Sequence, residues 1–226
     1  PLVTERARGA QHQRLPRASR DNTPCEIPQV GRHYYGLNKS RSKPRRRTSP
    51  ATARTSREAA AFPIVGIGAS AGGLAAFEAF FSGLPPDRQP DMAFVLIQHL
   101  AADHKSSLAD LIARYTRLEV HEVKDGMVVR PNCVYIIPPG RDMALLHGSL
   151  QLLKPSAARG QRLPIDFFFR SLAQDQRERA IGIILSGTGA DGTLGVRAIK
   201  GENGLVLAQN PESAEFDGMP RNALGT

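Results

Sequence analysis

The chain has 226 residues, 41% of them hydrophobic, and carries 30 Lys+Arg against 21 Asp+Glu. That length has room for one α/β domain with a sizeable core plus a tail. The net charge of +9 points to nucleic acid only until it is divided: residues 1–60 hold 14 basic and 4 acidic residues, residues 61–226 hold 16 and 17. The basicity therefore belongs to the tail, and the rest is near neutral.

Residues 1–60 are rich in Arg, Pro, Ser and Thr and lack apolar periodicity, which predicts a disordered basic tail. Its cluster Arg41 to Arg47 (RSKPRRR) could touch phosphates, but no aromatic or helical pattern accompanies it. A solvated tail is the better reading, and a nucleic-acid partner is disfavoured. Cys25 and Cys133 show no metal-ligand spacing in the sequence; no disulfide framework is expected, and a reducing cytosol fits. No apolar run approaches the roughly 18 residues of a membrane helix and no signal-peptide pattern opens the chain, so membrane insertion is not expected.

From Ala61 the texture changes. Pro63 to Ile67 is a short, branched apolar run of the buried-strand kind; Gly66, Gly68, Gly72 and Gly73 puncture it, and Leu74, Phe77, Phe80 and Phe81 then recur at helical spacing. Strand, turn and helix meet within a few residues, with Ser70 at the corner. Pro85-Pro86 closes the helix, and Met92 to Ile97 predicts a second buried strand ending in Gln98-His99. Asp103 to Ser107 leads into a helix with Leu108, Leu111 and Ile112 on its apolar face. Leu118 to Val123 and Val134 to Ile137 predict two further strands. Met143 to Leu146 and Leu150 to Leu153, joined across His147-Gly148-Ser149, predict a β-hairpin.

Pro164 opens a helix containing Ile165, Phe168, Phe169 and Leu172. Ala180 to Ser186 predicts a buried strand running into Gly187-Thr188-Gly189-Ala190-Asp191-Gly192, followed by a helix with Leu194, Val196 and Ile199. Gly204 to Ala208 predicts a last strand, after which the stretch around Asp217 to Pro220 reads as irregular. Strands alternating with helices predict a doubly wound, mainly parallel α/β sheet with helices on both faces and an inserted hairpin. Ligand sites in such sheets gather at the carboxyl ends of strands, and Ser70, His99 and Asp191 each follow one.

Two motifs overlap at Ser70. Gly68 to Gly72 fits the G-x-S-x-G nucleophile elbow, and Gly66 to Ala71 fits the G-x-G-x-x-G/A dinucleotide fingerprint. A dinucleotide site wants an acidic residue about 20 residues on, at the end of the second strand, where this chain has Gln98-His99. A nucleophile needs a base to take its proton and a carboxylate to hold that base, which Ser70, His99 and Asp191 could supply. Each also has a structural explanation: Ser70 as a helix cap, His99 as an interior histidine, Asp191 as the turn and N-cap residue of Gly-Ala-Asp-Gly. His104 is a rival base. The order Ser, His, Asp differs from the Ser, Asp/Glu, His order of α/β-hydrolases.

The segments IVGIGASAGGL, VLIQHL, YIIPPGRDM, LPIDFFFRSLA, IGIILSGTGADGTLG and AQNPESAEFDGMPRNA together resemble the catalytic domain of bacterial chemotaxis receptor methylesterases, the CheB-type protein-glutamate methylesterases, over residues 62–226. The resemblance implies a Ser-His-Asp triad at Ser70, His99 and Asp191. It implies hydrolysis of glutamate γ-methyl esters on chemoreceptors in signal transduction, with glutamine deamidation in some members, and a cytoplasmic location. No cofactor and no metal are implied. In that mechanism the backbone N–H groups near Ala71 and Thr188 are candidate oxyanion donors. Family members acting in a phosphorelay carry a receiver domain, and residues 1–60 are too short and polar to be one. Thr188 stands where many stand-alone members have Met, and residues 61–226 stop short of the family's final strand. Both suggest a truncated catalytic domain from a longer methylesterase–methyltransferase fusion. A docking module that keeps this fold without catalysis is the competing expectation.

Overall fold

The computed structural model describes residues 2–4, 62–98, 108–155 and 161–226. A seven-stranded sheet runs through the middle of these residues. Its strands, in chain order, are β1 (Leu2–Thr4), β2 (Ile64–Ala69), β3 (Ala93–Gln98), β4 (Glu119–Glu122), β6 (Cys133–Ile136), β9 (Ala180–Ile184) and β10 (Leu205–Gln209). The spatial order is β1-β10-β9-β2-β3-β6-β4. Every pairing is parallel except that of β1, which lies antiparallel on β10 with Leu2 opposite Gln209. This is the doubly wound α/β architecture that the alternation of strands and helices predicts.

Apolar residues on both sides of the central strands explain the two layers of helices. Val65, Ile67, Phe94 and Leu96 face one side, where Phe77 and Phe81 of α1 (Gly73–Ser82) and Ile112 of α2 (Leu108–Tyr115) cover them. Ile64, Val95 and Ile97 face the other side. There α3 (Pro164–Gln176) and α4 (Thr193–Gly201) supply Ile165, Phe168, Phe169, Val196 and Ile199. The predicted hairpin forms from β7 (Asp142–Leu146) and β8 (Ser149–Leu153), with β5 (Met127–Val128) added as a third strand.

Three segments depart from the sequence reading. Leu2–Thr4, assigned there to a disordered tail, is an edge strand on β10, and the rest of residues 1–60 lies outside the described residues. Residues 218–224, read as irregular, form α5 (Gly218–Leu224), whose Met219 and Ala223 are buried in the α3/α4 layer. The two residues of β5 are too few for periodicity to register. Among the described residues no helix is long and apolar enough to cross a membrane.

Gly66 and Gly68 lie inside β2 rather than in the turn. A Cβ on Gly66 would sit 2.8 Å from Phe169 Cε1, and one on Gly68 2.5 Å from Ile165 Cγ2. These two residues let α3 lie close against the middle of the sheet. They therefore serve packing, which removes the physical basis of the dinucleotide fingerprint.

Candidate active site

The strand order sets the site. β2 lies between β3 and β9: the chain moves outward on one side through β3, and returns on the other through β9 and β10. The carboxyl ends of β2 and its two neighbours thus form the topological switch point, the place where open α/β sheets leave a crevice. Ser70 stands directly past the end of β2. Gln98, the last residue of β3, is in register with Ala69. His99 follows Gln98 in the sequence and lies, with His104, outside the described residues.

The Ser70 corner is built by hydrogen bonds that prolong the β2–β9 ladder. Leu185 N–H donates to Gly68 O at 2.9 Å, and Ser70 N–H donates to Ser186 O at 3.0 Å. Gly72 then turns the chain at φ 69°, where an L side chain is strained, and a Cβ there would also meet Ser186 Oγ at 2.7 Å. The turn brings Ser70 to the start of α1. Gly72 caps that helix without a side-chain hydrogen bond, and no acidic residue occupies its first turn. The partial positive charge of the helix end is therefore not met by a carboxylate of its own first turn.

Ser186 holds the corner from below. Its buried hydroxyl donates to Ala71 O at 2.9 Å and accepts from Phe216 N–H at 3.0 Å, while its own N–H donates to the Gln209 side chain at 2.9 Å. Gly187 N–H donates to Phe216 O, and Met219 N–H to Gly187 O, both at 2.9 Å. The loop after β9 and the start of α5 are thereby tied to the serine turn. A Cβ on Gly187 would lie 3.1 Å from Ser70 Cβ and 2.2 Å from Met219 Sδ, so this loop passes in contact with Ser70 because residue 187 has no side chain. Thr188, next along, is exposed.

Asp191 belongs to the same loop but is used differently from the turn-and-cap reading. It does not cap α4, whose N-cap is Gly192 with no side-chain bond. Only 4% exposed, it reaches the N-terminus of α3 instead: Oδ2 accepts from Ile165 N–H at 3.1 Å and Oδ1 from Asp166 N–H at 2.9 Å. Asp166 returns the arrangement by accepting Gly195 N–H of α4 at 2.7 Å. Each of the two helices is thus capped by a carboxylate from the other's segment. Burial pushes the Asp166 carboxyl above its ordinary range and the neighbouring Asp191 adds to the rise, with the Gly195 N–H opposing both. Since Ile165 also packs on Gly68, two residues before Ser70, the Asp191 carboxylate is anchored to the end of β2 through α3.

The structure therefore brings together Ser70, Ala71 and the Gly187–Asp191 loop, with the end of β3 alongside. Sequence reasoning missed Ser186, Asp166 and Gln98. Ser186 is the polar residue ending an apolar strand, a visible signal. Asp166 sits just inside a helix start and reads there as an ordinary first-turn acid. The buried Gln98 Oε1 has no hydrogen-bond partner among the described residues.

Residues 65–226 match the family described as CheB methylesterase. The chain belongs to that family. It is 35% identical over 195 residues to the protein-glutamate methylesterase/protein-glutamine glutaminase 2 of Anaeromyxobacter dehalogenans, covering 86% of this chain and 53% of that protein. A protein of the same name, numbered 1, from Myxococcus xanthus is also 35% identical, over 72% of this chain and 48% of its own length. A 104.1 kDa protein of Rhodobacter capsulatus is 44% identical over 119 residues, 12% of its length. The chain thus spans about half the length of the methylesterases it matches. The crystal structure of the Thermotoga maritima CheB methylesterase catalytic domain matches with a TM-score of 0.65 and 30% identity, over 73% of this chain and 88% of that one. The family resemblance seen in the sequence holds, and so does the fold.

Proposed function

We propose that this CheB-type domain is a serine-hydrolase-type protein-glutamate methylesterase acting on glutamate γ-methyl esters of chemoreceptor helices. Ser70 is the nucleophile, His99 the base and Asp191 the residue that orients His99. His99 takes the Ser70 proton as Oγ attacks the ester carbonyl; methanol leaves with that proton, and water then hydrolyses the glutamyl-enzyme. The Ala71 N–H, just before α1, and the Thr188 N–H are the oxyanion donors of this reading, where fixed dipoles are most effective.

The observation that carries this reading is the Ser70 corner: a hydroxyl at the switch point, at an N-terminus with no acid in its first turn, in contact with the Gly187–Asp191 loop. Asp191 suits an orienting role although it caps α3. Its carboxylate offers about four lone-pair sites and so can accept more than the two α3 N–H groups. The methylesterase names of two relatives support the same chemistry, and their glutaminase names extend it to glutamine side chains, where ammonia replaces methanol. The substrate places the enzyme in the cytoplasm. A methyltransferase domain in a longer host chain belongs to the same proposal; the 104.1 kDa Rhodobacter relative, matched over 12% of its length, is itself a much longer chain.

Labelling with a serine-directed phosphonate tests the assignment. Ser70 is expected to be the modified residue, with loss of methanol release in proportion to labelling. Methanol release that survives complete labelling of Ser70 overturns the covalent mechanism. Absence of both labelling and release favours the docking module.

A further inference from the structure

A second cluster of chemistry-bearing side chains lies at the far edge of the sheet, at the amino ends of its strands. β4 pairs with β6 in parallel, Glu119 opposite Cys133 and His121 opposite Tyr135. Alternation along each strand puts all four side chains on one face. His121 Nε2 is 3.3 Å from Glu119 Oε1, and Cys133 Sγ is 3.9 Å from Glu119 Oε2. The three potential ligand atoms all lie within 4.8 Å of one another.

We infer that Glu119, His121 and Cys133 form a site for a borderline-soft divalent metal ion of the zinc class. The cluster is slightly wider than a tetrahedral centre, and closing on an ion would draw the three groups together. Bonds of about 2.1 Å to N and O and about 2.3 Å to S, at a tetrahedral angle, put N and O about 3.4 Å apart and S and O about 3.6 Å apart. The contacts to His121 and Cys133 end on different Glu119 oxygens, so the carboxylate must turn to present one oxygen to the ion, and Glu119 is exposed and able to move.

The surroundings of the groups fit as well. His121 Nε2 is buried and has no hydrogen-bond partner, because its contact with Glu119 lacks hydrogen-bond geometry. A buried ring nitrogen without a hydrogen-bond partner is costly. The ring is held flat against Tyr135, centroids 5.6 Å apart and planes 29° from parallel. Tyr135 is fixed in turn by Arg130 N–H, which donates to its hydroxyl at 2.9 Å. Outer contacts of this kind orient metal ligands. Cys133 is only 4% exposed.

Arg130 is the competitor, with its guanidinium 3.4 Å from Glu119 Oε2. Both side chains are more than half exposed, so that pair contributes little and yields readily. On binding, the Cys133 thiol releases one proton, and the thiolate and carboxylate together balance the charge of the dication. Glu119 is exposed, so an ion could reach the cluster from solvent on that side. One thiolate, one imidazole and one carboxylate select zinc-like ions over magnesium or calcium. The ion would pin the edge strand β4 to β6, remote from Ser70.

Titrating the full chain, reduced and stripped of metal, with Co²⁺ tests the site. One equivalent is expected to give a saturable thiolate-to-cobalt charge-transfer band that Zn²⁺ displaces. Cys133→Ser should abolish the band although Cys25 remains. Glu119→Gln should weaken Co²⁺ binding by more than the roughly 10–100-fold that losing an outer contact costs. Absence of the band in the parent, or its persistence in Cys133→Ser, overturns the assignment. Should Cys133→Ser fail to fold, an unchanged Co²⁺ affinity in Glu119→Gln overturns it equally.

Discussion

Replacing Asp191 by Asn separates two roles that the structure loads onto one side chain. Both carboxylate oxygens accept backbone N–H groups of α3, at 3.1 and 2.9 Å, in a setting only 4% exposed. Asn keeps one acceptor and presents an NH₂ where the second stood, so one buried N–H faces another donor. Leaving that donor unsatisfied costs about 1–3 kcal/mol, and exchanging a charged for a neutral acceptor at the remaining bond costs roughly another 1 kcal/mol. For a domain of this size each kcal/mol lowers the melting temperature by about 2–4 °C, giving a fall of roughly 5–15 °C. If Asp191 also orients His99, turnover of the folded variant drops by roughly 10⁴, the size seen for the same change in a serine protease triad. The assay is a thermal melt followed by circular dichroism, with methanol release measured well below both transitions. A melting temperature within a degree of the parent refutes the capping argument. Near-parent turnover in the folded variant refutes the orienting role.

Three further outcomes follow from the same geometry. Gly187→Ala drives a Cβ to 2.2 Å from Met219 Sδ and should destabilise by about 1–3 kcal/mol, whereas Gly187→Ala with Met219→Ala should cost less than the sum of the single changes; additive denaturation energies would show that the two residues do not meet. The Asp166 carboxyl is raised above its ordinary 3.8, so the native state keeps a proton that the unfolded chain has released, and stability falls as pH rises from there through the folded value. Asp166→Asn keeps an acceptor for Gly195 N–H and should flatten that decline in urea midpoints, while an unchanged slope would assign it to another group. His99→Gln should silence methanol release and His104→Gln should be mild, and the reverse ranking identifies His104 as the base.

Much of the fold was legible because its strands are short branched runs bounded by Gly and Pro, and its helices are amphipathic. Ser70 was legible for the same reason, as a polar residue at a strand–glycine–helix corner. What escaped depends on partners far apart in the chain. Asp191 looks like the cap of the helix that follows it, and its actual partners, Ile165 and Asp166, lie 26 and 25 residues earlier. Gly66 and Gly68 match a phosphate-loop pattern, yet their lack of side chains serves α3, which no local pattern announces. Glu119, His121 and Cys133 have no recognisable ligand spacing because only the parallel register of β4 on β6 brings them together. Leu2–Thr4 is three residues long and owes its strand to an edge that β10 offers.

The central claim rests on one hydroxyl. Methanol release from a γ-methylated receptor peptide should be measured for the purified chain and for Ser70→Ala, with equal melting temperatures confirming that both are folded. The account predicts release by the parent and a loss on the order of 10⁶ in turnover for the variant. A folded Ser70→Ala protein that releases methanol at close to the parent rate would contradict it.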